Sequence, residues 1–130
     1  MKRTTLALSL ALFLGCDSGP RMHEVSGTVT LNGAQPLPDG EILFEHVPTP
    51  TESYGPDHGR IKDGRFRLRV KEGNHLIRIT ADQPILDTKN MYGEPLTKNY
   101  LATRYNQETT LTADVGVGKT TFTFNVESAP

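Results

Sequence analysis

The sequence has no surplus of positive charge and no apolar run long enough to span a bilayer. Its 14 lysines and arginines are offset by 15 aspartates and glutamates, which gives a formal net charge of −1. Nucleic-acid binding requires a clustered excess of cations that neutralises phosphates, so we expect no nucleic acid among the partners. The longest apolar run, residues 6–14, covers nine residues, whereas a membrane-spanning helix needs about 20.

The sequence also lacks the patterns of common catalytic and metal centres. It contains no Gly-x-Ser-x-Gly motif and no evident Ser/His/Asp set. The four histidines, His23, His46, His58 and His75, include no pair at the spacing of metal ligands. We therefore predict no enzyme activity, no cofactor and no metal ion. His46 and His58 flank a proline-rich loop and are the pair that could converge.

The sequence also argues against a phosphate-binding loop. Residues 113–120, ADVGVGKT, satisfy a relaxed form of the phosphate-loop pattern. Such a loop works only where a helix follows it and directs its first amides at the phosphate. The next residues include TFTFNV, which alternates like a strand, so the segment predicts a hairpin. Asp39, Asp57 and Asp63 are likewise interpreted as turn formers rather than acid/base groups.

Two-residue alternation, typical of half-buried strands, is what the sequence does contain. Residues 25–31, VSGTVTL, and residues 65–70, RFRLRV, place apolar side chains on one face and threonines or arginines on the other. Similar segments occur at residues 41–47, 59–62, 75–81, 109–115 and 120–126. The pairs Asn32-Gly33 and Asp63-Gly64 provide turns that tolerate positive φ. The pattern predicts an all-β fold of seven strands, with the arginine row as a solvated strand face.

Residues 82–108 are a long stretch without clean periodicity. A segment of this length would be unusual as an idle linker, so we predict an ordered insertion or loop. In part of this stretch, the apolar and aromatic residues are spaced so that one face could pack on the edge of a β-sandwich. Its candidate binding residues are Tyr92, Tyr100, Arg104 and Tyr105.

The only cysteine, Cys16, closely follows the apolar run. Two cations before that run make residues 1–15 typical of a secretory signal peptide, which takes no part in the fold. A lone cysteine in an exported protein would otherwise be an unpaired thiol in an oxidising compartment. The residues Phe13-Leu14-Gly15-Cys16 resemble the lipobox of bacterial lipoproteins, in which signal peptidase II cuts before a diacylated cysteine. The resemblance implies lipidation of Cys16 and a short tether at residues 16–23.

Further segments carry a second resemblance: VSGTVTLNGAQPLPDGEILF, GRIKDGRFRL, EGNHLIRIT, YLATRYN, TTLTADV and FTFNV. Together with the lipobox they resemble short lipoproteins of planctomycetes that have a carboxypeptidase regulatory-like, or transthyretin-like, domain. The resemblance implies that residues 24–130 form a seven-stranded antiparallel β-sandwich of the prealbumin type. Few members of that family have an assigned activity, so it implies architecture and location more than mechanism.

We therefore expect a non-catalytic binding or envelope-structural module, anchored through Cys16 to the periplasmic or outer face of a bacterial membrane. Its expected partners are that membrane and an envelope protein or glycan. Contacts are expected on loop 47–58 and on the insertion, because long loops on a rigid sandwich often carry recognition. The same loops could instead cover the edges of the sheet.

A small-ligand carrier, a metal carrier and a transthyretin-like hydrolase are the alternatives. Each of them would need a concave pocket with convergent polar groups. The Tyr-Arg-Gly-Ser motif of that hydrolase does not occur in this sequence, which disfavours the last of the three.

Overall fold

The computed structural model describes residues 19–130 and confirms the predicted all-β class. Ten strands lie within these residues: β1 (Met22–Leu31), β2 (Gln35–Pro36), β3 (Asp39–His46), β4 (Asp57–Lys62), β5 (Arg65–Lys71), β6 (Gly73–Thr80), β7 (Asp82–Pro84), β8 (Thr97–Asn99), β9 (Thr112–Val115) and β10 (Thr121–Val126). The same residues contain one 3-10 turn, Thr103–Tyr105, and no helix with the length and apolar character that crossing a bilayer requires.

The seven longest strands form one sheet that curls into a sandwich-like half-barrel. Their order is β10-β1-β5-β4-β3-β6-β9, with the short β2 added to β1. Neighbouring strands are antiparallel except for β10, which runs parallel to β1 with Ser26 opposite Thr121. β4 and β5 pair at Lys62 and Arg65, next to the turn that joins them. The strands β7 and β8 form a separate hairpin.

The inward face of the sheet consists mainly of the apolar rows that the alternation predicts. Its fully buried members include Val25 and Val29 of β1, Ile42 and Phe44 of β3, Ile61 of β4, Val70 of β5, and Ile77 and Ile79 of β6. Burying one such side chain is worth about 1.5–3 kcal/mol relative to leaving it exposed. A slip of one residue would turn a whole row to solvent, so the rows fix the register of the strands. The arginines at 65, 67 and 69 face solvent, as predicted.

Both predicted turns occur. In Asn32-Gly33 the φ angles are 54° and 71°, and in Asp63-Gly64 they are 50° and 74°, as in the primed turns of tight hairpins. Residues 113–120 form the predicted hairpin rather than a phosphate loop. Gly116 bridges to Lys119, and β10 follows directly.

Two of the three aspartates interpreted as turn formers have a different role. Asp63 lies in its turn, but Asp39 and Asp57 are the first residues of β3 and β4. Each makes an ion pair, Asp39 with Arg60 and Asp57 with Lys71. Because side chains alternate along β4, Asp57 lies on the inner face of the sheet. The polar, proline-rich composition of the residues before it indicated only a loop.

The two ends of the half-barrel carry different loops. At the first end Met22 lies opposite Lys71, and the chain leads from here to the residues before 19. We call this the tether end; loop 47–56 and the turn at residues 116–119 also lie at it. At the opposite, distal end, β6 finishes at Thr80 beside Glu41, and residues 82–99 leave the sheet.

The predicted signal peptide, residues 1–15, and the predicted lipid site, Cys16, lie outside the described residues. The predicted tether, residues 16–23, is described from residue 19 onward. β1 begins within it, at Met22, so the fold starts slightly before the predicted boundary at residue 24.

Candidate functional site

The insertion forms a braced hairpin at the distal end. β7 and β8 pair antiparallel, and the Ile85 amide continues the pairing by donating to the Leu96 carbonyl over 2.7 Å. Within the loop the side-chain oxygen of Asn90 accepts from the amides of Tyr92 (2.9 Å) and Glu94 (3.0 Å). These bonds hold residues 85–96 in a defined shape, as expected for an ordered insertion.

Three large apolar side chains of this loop project into solvent. Leu86 is 86% exposed, Met91 is 88% exposed and Tyr92 is 81% exposed. We call these three residues the apolar tip. Single exposed apolar residues are ordinary, but a group of them on one small braced loop is typical of a contact surface.

The four predicted binding residues do not form one surface. Tyr92 belongs to the apolar tip, whereas Tyr105 is buried and Tyr100 is partly buried against the core. Arg104 lies over the Tyr105 ring, 4.9 Å from its centroid, and pairs with Glu127. The segment that follows β8 therefore packs one face on the sandwich, as its spacing indicated.

A polar groove crosses the outer face of β3, β4 and β6. Its volume is about 530 Å³, and its lining includes Asp39, Glu41, His58, Arg60, Thr80 and Asp82. Glu41, His58 and Thr80 also line an adjoining hollow of about 270 Å³, where Leu43 supplies apolar surface. The residues are brought together because the antiparallel register places Glu41 opposite both Arg60 and Thr80.

The arginine of the groove, Arg60, and the arginine of the adjoining hollow, Arg78, already have partners. Arg60 donates to both carboxylate oxygens of Asp39, over 3.3 and 3.2 Å. Arg78 donates to Glu45 over 2.6 Å and to the Asn106 carbonyl. Among the described residues, the side chains of Glu41, His58, Thr80 and Asp82 have no hydrogen-bond partner, so they can bind a small polar ligand.

The groove also has an electrostatic link to the insertion. Burial raises the pKa of Tyr100 above its ordinary value, and the negative charge of Asp39 raises it further. Tyr100 therefore lies close enough to Asp39, a residue of the groove, for that charge to act on its hydroxyl.

His46 comes together with His75 rather than with His58. His46 and His75 are direct cross-strand partners on the inner face of β3 and β6, and their ring centroids lie 5.4 Å apart. His58 lies on the outer face of β4, in the groove. Alternation could have placed His46 and His75 on inner faces, but the pairing register that joins them depends on the tertiary fold.

The comparisons with known proteins identify no relative. No protein-family model, curated protein or solved structure matches this chain.

Proposed function

We propose that this chain is a lipid-anchored, non-catalytic binding module of the bacterial cell envelope, whose apolar tip docks on an envelope protein. The observation that carries the proposal is the exposure of three large apolar side chains on a loop braced by its own hydrogen bonds. Nothing in the packing of the described residues requires these side chains to be apolar. A partner that covers them would account for their chemistry.

The position of the tip favours a protein over the anchoring membrane as its target. β1 spans ten residues between the two ends, which corresponds to about 30 Å at the usual rise of a strand. With lipid on Cys16, residues 17–21 would hold the tether end within roughly 18 Å of the membrane. The apolar tip, at the distal end, would then point away from the bilayer.

The chemistry of the tip favours a protein over a glycan. Leucine, methionine and tyrosine contribute most of their binding energy by filling desolvated apolar pockets, and aromatic residues and methionine are enriched in the centres of protein interfaces. The resemblance to planctomycete lipoproteins with a carboxypeptidase regulatory-like domain supports the envelope location.

The anchor is tested by the intact mass of the protein extracted with detergent from its native membranes. We expect a chain of residues 16–130 that carries a diacylglyceryl group, with or without an additional acyl chain. A chain that retains residues 1–15, or one without lipid, would contradict the anchoring half of the proposal.

The docking half is tested by a photo-crosslinking amino acid at position 92 in the native host. Position 117 is the matched control, because Val117 is also an exposed apolar residue but lies at the tether end. We expect a discrete protein adduct from position 92 that the double change Leu86→Ser, Met91→Ser abolishes, and that the purified partner reproduces. Equal adducts from both positions, or none from position 92, would contradict docking by the tip.

The polar groove supports a second candidate function, a small-ligand carrier. This function is supported by four polar residues that line the groove, Glu41, His58, Thr80 and Asp82. The groove's volume of about 530 Å³ is within the range of small-molecule sites. Native mass spectrometry of the protein purified from its host tests this function. A co-purified small molecule that is lost from Glu41→Ala and retained in Asp114→Ala would support it, and an unliganded protein would count against it.

A further inference from the structure

We propose that His46 and His75 bind one copper(I) ion between their imidazole rings at the tether end of the sandwich. The inference is independent of the docking function and rests on two buried nitrogens that have no hydrogen-bond partner within residues 19–130. His75 has no exposed surface, and His46 is 5% exposed. Among the described residues, no hydrogen-bond partner reaches Nδ1 of His46 or Nε2 of His75.

The hydrogen bond of His75 fixes which nitrogen can bind a metal. Its Nδ1 lies 2.9 Å from the Gly73 carbonyl, which can only accept, so Nδ1 carries the proton. Nε2 then carries a bare lone pair, and it is buried without a hydrogen-bond partner among the described residues. A ligating histidine typically has this arrangement, with one ring nitrogen donating to a carbonyl and the other binding the metal.

The second imidazole lies where it can share an ion with the first. The ring centroids of His46 and His75 are 5.4 Å apart at an interplanar angle of 78°. A bond of about 2 Å from each nitrogen is normal for imidazole ligation, so one ion can bridge rings at this separation with a bent nitrogen–metal–nitrogen angle. Gly73 makes room for the pair, because a Cβ there would lie 3.1 Å from Nε2 of His46.

The surroundings favour an ion that needs few ligands. Among the described residues, no group of three or more His, Cys, Asp or Glu side chains is placed to hold a metal. Zinc normally takes four ligands, whereas copper(I) is stable with fewer, down to two imidazoles. Copper(I) is also monovalent, so its burial is less costly than that of a divalent ion.

The competing occupant is a single water molecule that donates to both nitrogens. A buried water usually makes about three hydrogen bonds. The neighbouring side chains include two aromatic rings: the Phe44 ring lies 5.8 Å from the His75 ring, and the Tyr54 ring lies 5.1 Å from the His46 ring. The charges of Asp57 and Lys71, which pair with each other, also act on His75. Two buried imidazole nitrogens beside these rings suit a cation of low coordination number better than water.

The test is an anaerobic copper(I) titration of the full chain in detergent, against the competing chelator bicinchoninate. The chain carries Cys16→Ser, because a free thiolate would itself bind copper(I). We expect one ion per chain and at least a tenfold loss of affinity in His46→Gln. His58→Gln is the matched control and should bind like the parent, since His58 lies on the outer face.

X-ray absorption of the copper-loaded parent keeps the test decisive if His46→Gln fails to fold. We expect two nitrogen neighbours at about 2 Å and no sulfur. The proposal is overturned if the parent does not retain copper(I) against the chelator, if folded His46→Gln retains it equally, or if the absorption spectrum reports sulfur or four ligands. A crystal soaked with copper(I) that shows only water between the rings would also overturn it.

Discussion

His75 combines complete burial with a titratable ring. Burial lowers its pKa below the ordinary histidine value of 6.5, and the neighbouring His46 lowers it further, while the hydrogen bond to the Gly73 carbonyl offsets part of the shift. His75 therefore stays neutral in the folded protein at pH values where the unfolded chain binds a proton. Its contribution to stability is complete above pH 6.5 and is lost as the pH falls below that value.

We expect the free energy of unfolding to decrease as the pH falls from about 6.5, because unfolding then takes up a proton at His75. One proton accounts for at most about 1.4 kcal/mol per pH unit. Urea unfolding of the metal-free protein between about pH 8 and about pH 5 measures the slope. His75→Gln should be less stable but less sensitive to pH, and equal slopes in parent and variant would contradict the assignment.

The ion pair between Asp57 and Lys71 is the second prediction at this scale. The Lys71 ammonium lies 2.6 Å from the carboxylate, and the two side chains are only 18% and 14% exposed. Asp57 also accepts from the Lys71 amide over 3.1 Å. Asp57→Asn leaves a poorly solvated ammonium without its counter-charge, so we expect a loss of roughly 1–3 kcal/mol in unfolding free energy.

Asp39→Asn is the matched control for that measurement. The pair of Asp39 with Arg60 has the same chemistry, but its side chains are 63% and 74% exposed. Water screens such a pair, so its loss should cost less than about 1 kcal/mol. Similar losses in the two variants would show that burial does not set the strength of the Asp57 pair.

At the scale of elements, the parallel pairing of β10 with β1 depends on one small residue. Gly27 lies opposite both Phe122 and Phe66. A Cβ at this position would lie 1.9 Å from the Phe122 carbonyl oxygen and 2.6 Å from the end of the Phe66 ring. The backbone of β10 can therefore approach β1 only where residue 27 has no side chain.

We expect Gly27→Ala to lower the unfolding free energy by at least about 2 kcal/mol, because the clash is with backbone and cannot be relieved by a rotamer change. Hydrogen exchange should accelerate in the β10 amides that bond to β1. Gly55→Ala is the control, since a Cβ there has nothing within 4 Å. An alanine variant at position 27 with unchanged stability and exchange would show that β10 can move away at little cost.

The strands that the sequence predicted are those with a buried apolar row. In β1, β3, β5 and β6 alternation and burial coincide, because one face of each strand forms the core. The short β7 and β8 have no such row, since they pair outside the core, and their sequence could indicate only an ordered segment.

The candidate sites were predictable only in part, because their geometry depends on tertiary contacts. Tyr92 was anticipated as a contact residue, but its exposure depends on how the Asn90 side chain braces the loop. The pairing of His46 with His75 depends on the register of two strands separated by 26 residues of chain. Contacts of this kind come from tertiary pairing, which local patterns do not encode.

At the scale of the whole molecule, the distal hairpin is separable from the half-barrel. β7 and β8 pair with each other and with no strand of the main sheet within the described residues. The hairpin's base is fixed by the Ala81 amide, which donates to the Asn99 side chain over 3.0 Å, and by the Tyr100 amide, which donates to the Ala81 carbonyl over 2.9 Å. These bonds lie outside residues 85–96, so the loop that carries the apolar tip is not needed to hold its own base.

Replacement of residues 85–96 by Asn-Gly tests this separation. Pro84 and Thr97 are cross-strand partners, so a two-residue primed turn can join them. We expect the unfolding free energy to stay within about 1 kcal/mol of the parent, because the shorter loop gains a little closure entropy and no core contact is lost. Binding to the purified envelope partner should be abolished, as it should in the full-length double change Leu86→Ser, Met91→Ser. A loss of stability above about 2 kcal/mol would instead indicate that the loop protects the edge of the sheet, in which case its apolar side chains would serve the fold and not a partner.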